Sequence, residues 1–210
     1  MGERESVHPA EEADMFFQVL RGKVADAAAM RARFDAWDTE VKPSAIGALG
    51  STAGFTDDGG VIVIARFDSE ASAQQNSDLP VQSAWWEATA PTFAGEPEFI
   101  NVTDAETWLD GGSDDAGFVQ VMIGHSPDRD ALRAMAMEGG EELRAARPDI
   151  IGGISGNFGD NGFVNVGYFT SEAEARKGES ADDNPNADEF QRLMGDVEFI
   201  DLHEPFFYSN

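Results

Sequence analysis

Phe16-Phe17-Gln18-Val19 returns in this chain as Phe118-Val119-Gln120-Val121, and Phe67-Asp68-Ser69-Glu70-Ala71 returns as Phe169-Thr170-Ser171-Glu172-Ala173. A third pair follows in the same order: Gly95-Glu96-Pro97-Glu98-Phe99-Ile100 and Gly195-Asp196-Val197-Glu198-Phe199-Ile200. The offsets are 102, 102 and 100 residues, so the copies are collinear with one small net deletion. A period this long is a duplicated domain, not a solenoid of short units. Each copy, at about 90 residues, is long enough to bury a modest core.

Within each copy the apolar pattern predicts β-α-β-β-α-β, the ferredoxin-like order. Met15 to Leu20 reads as a strand. Ala27 to Val41 reads as an amphipathic helix, with Met30, Phe34, Trp37 and Val41 stepping along one face before Pro43 stops it. Gly-rich Ile46 to Phe55 and Val61 to Phe67 are strands joined by a turn at Asp57-Asp58-Gly59-Gly60. Ser69 caps a second helix, Pro80 to Thr92 is a further helical piece carrying Trp85 and Trp86, and Glu98 to Val102 closes the unit. The second copy repeats this from Phe118, with Ser126-Pro127-Asp128 opening its first helix and Pro in the first turn. The expected division is a polar tail (1–14), repeat 1 (15–102), an acidic linker (103–116), and repeat 2 with an apolar tail (117–210). An antiparallel sheet with helices on one face leaves its other face uncovered. Two such sheets packed face to face bury both, giving an α+β protein built as an intramolecular barrel.

Phe-x-Ser-Glu-x-x-Ala in both copies, then Asn76-Ser77-Asp78-Leu79-Pro80-Val81-Gln82-Ser83-Ala84-Trp85-Trp86 and Phe99, resembles the dimeric α+β barrel superfamily. The likeness is nearest to the antibiotic-biosynthesis-monooxygenase-like proteins of actinobacteria. It implies a fold shared by cofactor-free quinone-forming monooxygenases, haem-degrading enzymes, haem peroxidases, isomerases and ligand-sensing modules. Such monooxygenases often carry a histidine in the helix after the third strand. This sequence has Asn76 there in copy 1 and Glu179 or Ser180 in copy 2.

Forty Asp and Glu against 14 Lys and Arg give a net charge of −26. Such a surface repels phosphate backbones and anionic lipid, which argues against nucleic-acid and membrane partners. The absence of cysteine excludes disulfides and thiolate metal sites. No His/Asp/Glu spacing suggests a metal, so none is expected. With no apolar signal-peptide core near Met1, the expectation is a cytoplasmic protein, either a monomer with an internal pseudo-dimer or a homodimer.

The copies differ where chemistry is to be sought. Phe34 aligns with Ala136 and Trp37 with Gly139, so copy 2 loses two rings from one helix face. Interiors do not leave voids of that size. The expectation is a pocket in repeat 2, with repeat 1 plugged by Phe34 and Trp37. The competing reading is compensating movement, with Phe190 or Phe206-Phe207-Tyr208 filling the gap. His125 and Asn165, which replace Lys23 and Val63, are the catalytic candidates. Gln120, Ala136, Gly139, Tyr168, Phe190, Gln18 and Trp86 are the ligand-binding candidates. Tyr168 aligns with Arg66, and the matched Gln18 and Gln120 read either as pocket residues or as contacts between the two sheets. Three functions stay open: a cofactor-free monooxygenase acting on a hydrophobic aromatic or polyketide-like molecule, a non-catalytic small-ligand binding module, and a haem protein using His125 or His203.

Overall fold

Strand alternation sends every strand's side chains to two different interiors. In β1 (Met15–Lys23), Phe17 and Val19 face one way, while Phe16, Gln18 and Leu20 face the other. The same division runs through β2 (Ala48–Phe55), β3 (Gly60–Phe67) and β4 (Glu98–Leu109), and through their counterparts β5 (Phe118–His125), β6 (Ile150–Phe158), β7 (Gly162–Phe169) and β8 (Asp196–His203). One set of faces converges on a single core that mixes both repeats: Phe17, Val19, Ile64 and Val102 against Val121, Ile154, Val166 and Leu202. The other faces are covered by helices. This computed structural model describes residues 15–138, 140–180 and 187–209.

All nine strands form one antiparallel sheet in the order β8-β5-β7-β6-β4-β1-β3-β2-β9, where β9 is Phe206–Ser209. Each repeat contributes its four strands with the last beside the first. In repeat 2 that means β5 pairs directly with β8, His125 opposite Asp196 and Phe118 opposite His203. The expected linker is also largely strand. Beyond Val102, β4 bends at Asp104 (φ 49°) and carries Glu106 to Leu109 onto β6, with Glu106 opposite Ser155 and Leu109 opposite Gly152. The second repeat does the same. After β8 the chain bends at Glu204 (φ 52°), and β9 pairs with β2, Phe206 opposite Ala53 and Ser209 opposite Gly50. The two edges of the sheet are therefore the two halves of one bent strand, and the barrel closes within the chain. The apolar tail joins repeat 1 rather than filling repeat 2: Phe206 packs on Phe34 and Phe55.

In repeat 1, α1 (Ala27–Glu40), α2 (Glu70–Ser77) and α3 (Pro80–Thr89) cover the outer face. Asp26 and Ser69 cap α1 and α2 through their side chains, each satisfying an amide of the first turn. Met30 and Phe34 are buried as the period required, and the Trp85 indole donates to the Arg33 carbonyl at 2.8 Å. In repeat 2 the covering helices are α4 (Arg129–Glu138), α5 (Gly140–Ala146), α6 (Glu172–Glu179) and α7 (Ala187–Met194). Asp128, accepting from the Ala131 amide at 3.0 Å, sits directly before α4, so Pro127 precedes the helix instead of lying in its first turn. Among the described residues no helix is long and apolar enough to cross a membrane.

Candidate functional site

The helix-facing side of repeat 1 is not fully filled. A cavity of about 170 Å³ lies between the sheet and α1 to α3. An apolar cavity of about 150 Å³ accommodates a benzene ring. Its sheet floor is Phe16, Gln18 and Leu20 from β1, with Val63, Ala65, Phe99 and Asn101 from the strands on either side. Its helix wall is Phe34, Trp37, Trp85 and Trp86, and Tyr208 of β9 completes the rim. The rings brace one another: Trp86 meets Phe99 edge-on at 5.3 Å, and Phe34 stacks against Trp85 at 6.3 Å. Such pairs are worth about 0.5–1.5 kcal/mol beyond burial, so the wall is stiff.

The polar part of the lining is mostly amide and hydroxyl. Gln18 and Asn101 are directly opposed on neighbouring strands, and Gln18 Nε2 donates to Asn101 Oδ1 at 2.7 Å. The bond leaves the Gln18 acceptor and the Asn101 donor without a protein partner among the described residues. Asn76, on the buried side of α2, accepts from the Ile46 amide, and the Trp37 indole donates to Gln82 at 3.4 Å. The Tyr208 hydroxyl donates to Asp35 at 2.7 Å. Burial and then the Asp35 carboxylate hold that phenol protonated, its pKa raised beyond the ordinary range. Among the described residues the cavity is lined by one carboxylate, Glu70 at the start of α2, and one guanidinium, Arg66 of β3.

The same place in repeat 2 is occupied from within the protein. The Arg176 guanidinium, one helical position after Ala175, lies 5.1 Å over the Phe118 ring. It is gripped by Glu179 at 3.0 Å, by Glu172 at 3.4 Å and by Asp201. Gln120 donates to Glu179 at 3.2 Å and to Asp201 at 3.0 Å. Hydrogen bonding to Glu179, then to Asp201, outweighs burial and raises the Arg176 pKa further. From the other side the Trp108 ring, at the bent end of β4, lies over Gly153 and Gly167. A Cβ at Gly153 would fall 2.1 Å from the indole. What remains of the repeat 2 cleft is a cavity of about 70 Å³ at its far end, lined by Met122, Asn165 and Phe190 with Arg129 and Arg133.

The larger cavity is thus in repeat 1, with Phe34 and Trp37 as walls rather than plugs. Counting rings on one helix face overlooked Trp108, which fills repeat 2 from a segment read as linker. Ala136 lies in α4, and Gly139 falls outside the described residues. Gln18 and Trp86 line the larger cavity, Asn165 and Phe190 the smaller, and Gln120 lies beneath Arg176. The Asn165 Oδ1 is buried without a protein partner. Gln18 and Gln120 do not span the two sheets; each bonds to the neighbouring strand on its helix face. The contact between sheets is made instead by Tyr168, fully buried, whose hydroxyl lies 2.9 Å from Thr52 Oγ1. His125 is exposed at the end of β5 against Phe158, outside both cavities. His203 sits seven positions away along the β5 ladder, about 23 Å at strand spacing, so the two cannot share a ligand. Both His203 nitrogens are engaged, Nδ1 with Glu172 at 2.9 Å and Nε2 with Asp57 at 3.4 Å. The copy comparison held the missed signal in Gln74 against Arg176, Ser51 against Gly153, Ala65 against Gly167 and Tyr208 against Trp108.

Solved structures share this architecture over their full length. A candidate monooxygenase from Fusobacterium nucleatum superposes with a TM-score of 0.75 at 9% identity, over 94% of this chain and 95% of its own. The chain has the α+β barrel fold, with both halves in one polypeptide. A candidate monooxygenase from Lactobacillus acidophilus superposes on this barrel with a TM-score of 0.67 at 14% identity, over 90% of this chain and 93% of its own. An anthrone oxidase-like protein gives 0.67 at 10% identity, over 95% and 94%. No protein-family model and no curated protein sequence matches the chain.

Proposed function

We propose that the repeat 1 cleft binds a hydrophobic hydroxy-aromatic or polyketide-like molecule and that the chain oxygenates it without a resident cofactor. The observation that carries this is the cleft itself: a ring-sized space between aromatic walls, with an amide pair on its floor, in a fold shared with proteins described as monooxygenases and as anthrone oxidase-like. An anthrone-type substrate needs no external reductant. Its activated ring CH₂ and one O₂ become a ring carbonyl and one water, the four electrons coming from the carbon. The protein's part is to hold the ring flat against Phe16, to place the substrate oxygen on the free Asn101 donor as charge develops, and to exclude bulk water. Glu70 is the group at hand to accept the ring proton.

The test is oxygen uptake with anthrone, reading anthraquinone by its absorbance. Asn101→Leu and Glu70→Gln are expected to lower kcat about 10²-fold each, as removal of a charge-stabilising donor or of a base does. Uptake no faster than in buffer would overturn the oxygenase reading. A second reading, binding without turnover, is favoured by the cleft's lining, which among the described residues contains no histidine. Anthrone binding with no uptake would select it.

A further inference from the structure

Repeat 2 displays, inside the protein, what fills this site. Superposing the repeats by strand register puts Gln120 opposite Asp201 where repeat 1 has Gln18 opposite Asn101. Both clefts keep the phenylalanine floor, Phe16 and Phe118, backed by Phe67 and Phe169. Five other positions have changed together. Gln74, Ser77 and Asn101 of repeat 1 are Arg176, Glu179 and Asp201 in repeat 2; Tyr208 is Trp108; and Ser51 is Gly153. The changes are mutually dependent. The arginine enters with two carboxylates that neutralise it, and the indole enters where the β6 glycine makes room. In repeat 1, Gln74 instead bonds back to Asp78 at 3.2 Å and leaves the Phe16 face clear. The 70 Å³ remnant in repeat 2 begins where this filling ends: Phe118, Gln120 and Arg176 take no part in its lining.

We propose that repeat 2 is the same ligand site in a self-occupied form, in which the Arg176 guanidinium and the Trp108 indole stand in for a ligand, and that repeat 1 selects a flat, uncharged hydrogen-bonding molecule. The proposal rests on the reading of the repeat 1 cleft as a ligand site. A guanidinium is planar and stacks on a ring as an aromatic molecule would. Where the occupant is charged, the chain surrounds it with Glu179 and Asp201. Where the occupant comes from outside, it supplies Ser77 and Asn101, which bond to a neutral hydroxyl or carbonyl, and of the three carboxylates around the arginine it keeps only the counterpart of Glu172, Glu70, which Arg66 on the same lining offsets, so the cleft carries no net charge. Duplication has thus left one receptive cleft per chain.

Three fluorescent probes of one size and different charge decide this: naphthol, naphthoate and naphthylguanidinium. The chain is expected to bind one naphthol, with quenching of Trp37, Trp85 and Trp86, and to bind either charged probe at least about ten-fold more weakly. Opening repeat 2 to the residues of repeat 1 (Trp108→Tyr, Arg176→Gln, Glu179→Ser, Asp201→Asn) should raise calorimetric stoichiometry from one naphthol to two. The second event should not quench tryptophan, because that variant's three remaining tryptophans all line repeat 1. Closing repeat 1 (Gln74→Arg, Ser77→Glu, Asn101→Asp) should abolish binding while the circular dichroism spectrum is kept. A folded opened variant that still binds one naphthol overturns the proposal. If the opened variant does not fold, a folded closed variant that binds as the parent does overturns it instead. Parent protein that binds no naphthol, beside an opened variant that binds one, would overturn the reading of repeat 1 and leave self-occupancy supported; no binding by either would overturn both.

Discussion

Barrel closure depends on two glycines at equivalent places, which allows a sharp test. Gly54 of β2 faces Leu202 of β8, and Gly156 of β6 faces Val102 of β4; these are the points where the sheet of one repeat meets the last strand of the other. A Cβ built on Gly54 would lie 2.8 Å from Leu202 Cβ, and one on Gly156 would lie 2.6 Å from Val102 Cγ1 and 2.8 Å from the Thr103 carbonyl oxygen. Ordinary contact begins at 3.4 Å, so Gly54→Ala must separate two backbones by about 0.6 Å, because the obstructing atom is itself a Cβ and no rotamer removes it. Overpacking of this kind costs about 1–3 kcal/mol. For a chain of this length that lowers the melting temperature by roughly 2–12 °C. Gly156→Ala should cost more, since one obstruction is main chain. Urea unfolding followed by circular dichroism would measure both, with the midpoint falling and the slope unchanged. If both variants unfold at the parental midpoint, the close approach of the two sheets at these positions is refuted.

Three further outcomes follow from the geometry. Tyr168→Phe and Thr52→Val should each cost about 1–2 kcal/mol by stranding a buried hydroxyl, while the double variant should cost less than their sum; simple additivity in denaturant melts would count against the hydrogen bond between the sheets. His203 is affected first by burial, which lowers its pKa, but the hydrogen bond and charge of Glu172 and the charge of Asp57 prevail and raise it. Its stabilising contribution is therefore full below the unfolded value of 6.5 and lost as pH rises through the raised folded value, so the pH dependence of stability in that window should flatten in His203→Gln. At the Glu204 bend, where φ is 52°, glycine should be at least as stable as glutamate and valine less stable than glycine by roughly 1–2 kcal/mol; equal melting temperatures would refute a left-handed backbone there.

The parts of this structure that could be read from sequence are those the duplication states twice. Phe17, Val19, Val119 and Val121 alternate with Phe16, Gln18, Phe118 and Gln120, and that alternation alone demands two interiors. The helix face of Met30, Phe34 and Val41 was equally plain. What was hidden lies where a residue's role is set by distant chain. Asp104 to Leu109 reads as linker because it opens an acidic, Gly-rich stretch, yet β6 pairs with it and Trp108 fills a cleft two strands away. A pocket was expected in repeat 2, where the smaller cavity lies with Asn165 and Phe190 on its lining; the larger one in repeat 1 was missed because one helix was compared with its copy, whereas the occupant of repeat 2 arrives from α6 and β4. Gln74 and Arg176 stood at the right offset, but an arginine in an acidic chain looks like a surface ion pair until its ring partner is known.

The bend at Glu204 has a consequence in time. Tyr208, which it delivers to the rim of the repeat 1 cleft, follows the rest of that cleft by more than a hundred residues, as does the edge β9 gives to β2. During synthesis the first repeat therefore leaves the ribosome with an unpaired strand edge and an unfinished cleft. Closing contacts between positions so far apart is slow. The cleft matures only when the second repeat has been made and has reached back to it, so a polypeptide cut short before Phe206 would carry the floor and helix wall of a site it could not close.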